Sequence, residues 1–69
     1  MQIRLNGDPF VVPGDAGPLT VSELLRRLEI DARRVAVEHN LIVLKRAAFA
    51  DTLVGDGDQV EIVNFVGGG

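Results

Sequence analysis

Thr20 and Glu23 stand three residues apart immediately ahead of an apolar stripe, and this is the one helix start that the chain specifies in full. The pair has the form of a capping box, in which the hydroxyl and the carboxylate satisfy two N–H groups reciprocally, and Leu19 before the cap can staple to Leu24. Val21, Leu24, Leu25 and Leu28 then recur at i, i+3, i+4 and i+7, which predicts one amphipathic helix of about ten residues. Arg26, Arg27 and Glu29 fall on its solvated side. Elsewhere the apolar residues recur with period two, so this helix has only strands to pack against.

Met1, Ile3 and Leu5 alternate with Gln2, Arg4 and Asn6. Asn6-Gly7 supplies the positive φ values of a tight turn before Phe10-Val11-Val12, so residues 1–13 read as a β-hairpin. Pro13 and Gly14 stop it, and Gly14 to Pro18 is a loop by composition. After the helix a third strand begins near Arg34 or Val35 and runs through Val35-Ala36-Val37-Glu38. His39-Asn40 reads as an exposed turn. Leu41 to Leu44 form a short strand closed by Lys45-Arg46, and Ala47 to Ala50 make one turn that lets Phe49 plug the core. Gly55-Asp56-Gly57-Asp58 is a turn rather than a calcium loop, because the twelve-residue spacing and terminal Glu of an EF-hand are absent.

The last strand spans Gln59 to Val66. Val60 and Ile62 face one way and Gln59 and Glu61 the other, but from Val63 onward both faces are apolar. A buried central strand accounts for this and places Val63 in the core. An exposed apolar patch accounts for it too, and such patches mark partner sites; on that reading Phe65, Val66 and Val63 are the candidate partner interface. For Phe65 the two readings weigh equally.

Chemistry carried by side chains is scarce. The 69 residues make one domain, which buries only about 60% of its unfolded surface and leaves little room for an enclosed active site. There is no cysteine, hence no thiolate metal site or thiol nucleophile, and His39 is the only histidine, without a ligand cluster around it. No metal site is expected. A net charge of −3 argues against nucleic-acid binding. The longest apolar run, Leu41 to Leu44, is far short of a membrane span, and Met1 leads directly into a strand pattern, so a cytoplasmic location is expected.

The order hairpin, helix, short β elements, final strand predicts an α+β chain of the β-grasp (ubiquitin-like) class. Its mixed sheet would have four to five strands, one main helix packed across it, and the last strand parallel to the first. Residues 1–65 would form that domain and 66–69 a flexible C-terminal glycine tail. Gly67-Gly68-Gly69 carries no side chain that could pack. Four extended residues reach about 13–14 Å, enough to thread a narrow channel and deliver one carboxylate.

With these elements in place, the chain resembles the ThiS-type sulfur carriers of thiamine biosynthesis over essentially its full length. The matching residues are Met1-Gln2-Ile3, Thr20 to Leu25, Val35 to Glu38 with Asn40, Arg46, Gly57 to Val63, and Phe65-Val66-Gly67-Gly68-Gly69. Family members often carry a proline where this chain has Lys45 and a tryptophan where it has Phe49. The resemblance implies a carrier, not an enzyme, that binds no cofactor itself. A ThiF/MoeB-like adenylating enzyme, using ATP and magnesium, would adenylate Gly69, with Gly67 and Gly68 threading into it. A persulfide donor would convert the adenylate to a thiocarboxylate, and a ThiG-like thiazole synthase would take the sulfur. Molybdopterin-type (MoaD-like) and tRNA-thiolation carriers share these features, and a non-conjugated β-grasp binding module with an inert tail is the alternative of another class.

Overall fold

The computed structural model describes residues 1–14 and 17–65. In chain order it contains β1 (Gln2–Leu5), β2 (Asp8–Val11), β3 (Leu19–Thr20), α1 (Val21–Arg27), β4 (Val35–His39), β5 (Ile42–Leu44), β6 (Leu53–Val54) and β7 (Gln59–Asn64). Single 3₁₀ turns lie at Ala32–Arg34 and Arg46–Ala48.

β1 and β2 form the expected hairpin, and its turn residues Asn6 and Gly7 have φ of 50° and 88°, the left-handed pair whose twist matches the strands it joins. β4 and β5 form a second hairpin, turned by Asn40 and Leu41 at φ 49° and 71°. The last strand joins the two. β7 lies parallel to β1 on one side and antiparallel to β4 on the other, which gives a five-stranded sheet of order β2-β1-β7-β4-β5. β3 and β6 make a separate two-stranded ribbon. The β-grasp arrangement follows, with β7 in the middle.

α1 crosses one face of this sheet. Val21, Leu24 and Leu25 are fully buried against Ile3 from β1, Val37 from β4, Val60 from β7 and Val54 from β6. Phe49 closes this core, as its apolar surroundings in sequence suggest. The Thr20 hydroxyl caps the helix by accepting from Glu23 N at 3.1 Å. The reciprocal half of the box does not form, because the Glu23 carboxylate accepts from Arg26 Nη1 at 2.9 Å instead.

The helix is seven residues long and not ten. Glu29 adopts φ 58°, Glu29 N donates to Arg26 O and Ile30 N donates to Leu25 O. This double closure is a Schellman motif that ends the helix after Leu28. Arg27 is correspondingly less free than a solvated-face reading implies, since its Nη1 donates to Pro13 O at 2.7 Å. No helix among the described residues is long and apolar enough to cross a membrane.

Candidate functional site

Everything expected of the functional end depends on how β7 is held, because β7 runs directly into it. Its start is clasped from both sides. Asn40 N donates to Gln59 O at 2.8 Å, and Gln59 N donates to Asn40 Oδ1 at 2.9 Å. On the other flank Asn6 N donates to Val60 O at 2.9 Å, and Ile62 N donates to Asn6 Oδ1 at 2.8 Å. Two turn asparagines therefore serve as sheet ligands.

His39 corrects the expectation of an exposed turn residue. It ends β4, is half-buried, and places Nε2 2.8 Å from Asp58 Oδ2. A carboxylate only accepts, so Nε2 carries the proton. Burial pushes the Asp58 carboxyl up, but hydrogen bonds from Gly55 N, His39 and Asn40 outweigh it and hold the group below its usual value. The pair has the geometry of a His–Asp couple, yet its role is to tie the Gly55–Asp58 turn to β4.

At its far end β7 is held by Phe65 N, which donates to Arg34 O at 2.9 Å. Arg34 is set by the 3₁₀ turn before it, where Asp31 caps Arg33 N at 2.9 Å and takes a two-pronged contact from the Arg33 guanidinium. That contact is the main reason the Asp31 carboxyl falls to about 2. The expectations for Val66, Gly67, Gly68 and Gly69 concern residues outside those described.

Val63 is not a core residue. It is 61% exposed and Phe65 is 52% exposed. A central strand is buried on both faces only when both are covered, and α1 covers one. Register puts Val63 opposite Ala36 and Glu61 opposite Glu38, all on the helix-free face. For Val63 this corrects the core placement expected from sequence, and for Phe65, open to two readings, the exposed patch is the one the structure displays.

That face carries more than sequence reasoning found. Val43 pairs with Glu38 across β4–β5, so Val43, Glu38 and Glu61 lie in one row. Like charges directly opposite each other destabilise a sheet by about 0.2–1 kcal/mol, and no ion pair among the described residues reaches either carboxylate. Beside them Leu41 is 79% exposed at φ 71°. It borders, with both glutamates and Arg4, a depression of about 140 Å³. Leu41 to Leu44 looked like an ordinary strand because a continuous apolar run does not say whether it is an edge. A two-residue turn at Asn40-Leu41 signals only that the flanking strands pair as a hairpin, and it is the sheet order that leaves β5 with no neighbour on its outer side among the described residues. Among the described residues no cluster of His, Asp and Glu could hold a metal ion.

Residues 3–69 match the ThiS family. The chain is 33% identical over 67 residues to the sulfur carrier protein ThiS of Bacillus subtilis, covering 97% of this chain and 98% of that one. It is 41% identical over 69 residues to a thiazole synthase of Paramagnetospirillum magneticum, where the whole chain spans only 20% of the relative's length. The crystal structure of the thiamine biosynthesis protein ThiS from Geobacter metallireducens superposes with a TM-score of 0.84 at 47% identity, covering 100% of both chains.

Proposed function

The chain belongs to the ThiS family, and we propose that it is a sulfur carrier for thiazole formation in thiamine biosynthesis, acting in the cytoplasm as a protein substrate rather than a catalyst. The observation that carries this reading is the central place of β7. The central strand, paired on both sides, leads through Phe65 into Val66-Gly67-Gly68-Gly69, so the body is anchored to the residues that would be delivered.

The chemistry asks little of the carrier. A terminal carboxylate has a pKa of roughly 3.3–3.7 and is an anion at neutral pH, able to attack the α-phosphate of ATP but a poor acyl donor. Adenylation by a ThiF-like enzyme with magnesium joins one carboxylate oxygen to the α-phosphate as pyrophosphate leaves, so that the same oxygen becomes part of an AMP leaving group. The terminal sulfur of a persulfide donor then attacks the carbonyl carbon as AMP departs, giving an acyl disulfide, and a thiol reductant that attacks the donor's sulfur takes the donor off as a disulfide and leaves a thiocarboxylate on Gly69. The glycines at 67 and 68 suit a channel barely wider than a backbone, and catalysis would come from placing one atom. The thiazole synthase relative, of which this chain matches a fifth, supports a thiazole synthase as the recipient of the sulfur.

Intact mass after incubation with ATP, magnesium, a ThiF-type enzyme and a persulfide source tests the reading. Replacement of one oxygen by sulfur, mapped to Gly69, is expected. No change, with an enzyme active on another carrier, would favour the non-conjugated module.

A further inference from the structure

We infer that the helix-free face of β4, β5 and β7 seats the adenylating enzyme through an arginine that the enzyme places between Glu38 and Glu61, with Leu41 as the apolar anchor beside it. The inference rests on the carrier reading and adds the chemistry of the partner's surface.

Leu41 shows the face to be used. A left-handed φ is unfavourable for a leucine, and the position suits Gly or Asn. Burial could offset this, yet Leu41 is exposed, as are its neighbours Ile42 and Val43. In the free chain the side chain gains nothing there. Contact with a partner supplies the missing burial.

The carboxylates specify the occupant. Glu38 and Glu61 lie between apolar groups, with Val43 and Leu41 on one side and Val63 and Phe65 on the other. A partner that covers the apolar groups must cover the carboxylates too, and a purely apolar surface would strand two charges. A guanidinium answers both, because its planar fork offers several donors to neighbouring carboxylates where an ammonium is a single point. Arg4 at the rim does not fill this role, since its Nη1 is bound to Gly7 O at 2.9 Å. A second copy of this chain would bring a second acidic pair and a second net charge of −3, which disfavours self-association. Glu61 and Val63 share one face of β7, and Phe65 follows directly after its end, about 13 Å from Glu61 at the rise of a strand. The occupant of the seat therefore reaches the root of the tail, and of the proposed partners the adenylating enzyme acts on that tail first.

Titration calorimetry of the unaltered chain and of Glu38→Gln, Glu61→Gln and Leu41→Gly against a purified ThiF-type enzyme decides the matter. The two glutamine variants are expected to raise Kd at least about tenfold. KM for adenylation should rise in parallel, with kcat at saturating carrier unchanged. Leu41→Gly should weaken binding while the chain stays folded. Glu29→Gln, on the helix side, makes the same change in net charge and should leave Kd unaltered. Unchanged Kd in both glutamine variants, or an equal loss in Glu29→Gln, overturns the seat. The carrier reading fails separately, by absence of sulfur at Gly69 in the mass measurement even where binding is intact.

Discussion

Asp58 closes its own turn and ties it to β4 through one carboxylate, accepting from Gly55 N at 2.8 Å and facing His39 Nε2 at the same distance. Because its folded pKa is depressed, the stability it contributes is present above the unfolded carboxylate value and is lost as pH falls through the lower folded value. Acid titration of stability should therefore show a limb below about pH 4 that flattens in Asp58→Asn. Among the described residues, Phe49 is the one aromatic side chain of the buried core. It is 3% exposed and reaches the core from a turn, so Phe49→Ala should cost about 3–5 kcal/mol by urea unfolding. Leu41→Gly should go the other way, raising the stability of the free chain by about 1 kcal/mol, because the left-handed turn then carries no Cβ. A residue whose removal stabilises the isolated protein is one retained for something else.

Among the elements, α1 is too short to persist alone, and its stability comes from its cap and from packing. Thr20→Ala removes the acceptor for Glu23 N and should lower stability by about 1 kcal/mol, measurable as a fall in Tm by circular dichroism. The helix start was legible in the sequence because a cap is a local pattern of residue types. Its end was not, since the Schellman closure is made at Glu29, a residue that carries none of the usual glycine signal. The Asn6-Gly7 hairpin was legible for the same local reason as the cap. Val63 shows the complementary limit: alternation tells which residues share a face of β7, but only the tertiary arrangement tells whether that face is covered. His39 was read as a turn residue because its partner, Asp58, lies far along the chain. The three glycines that would perform the chemistry were plain in the sequence, whereas the acidic row and Leu41 beside it became visible only once register paired β4 with β5 and β7.

For the molecule as a whole, body and tail should be separable by experiment. Deleting Gly69, or replacing Gly68 by Trp, is expected to leave thermal unfolding unchanged while abolishing adenylation; normal adenylation of either variant would contradict threading. Ending the chain at Asp58 should do the opposite and prevent folding, seen as loss of a cooperative transition. Without β7 the β1–β2 and β4–β5 hairpins share no hydrogen-bonded neighbour, and an isolated hairpin is marginal in water. This has a bearing on synthesis. A ribosome makes β7 after every other strand, yet β7 is the piece on which the others close, so the nascent chain cannot fold early and wait for its end. Only a chain translated through β7 can become a docking-competent one, and a product cut short before β7 by stalled translation would be left as an open, degradable polypeptide rather than a folded competitor for the partner's surface.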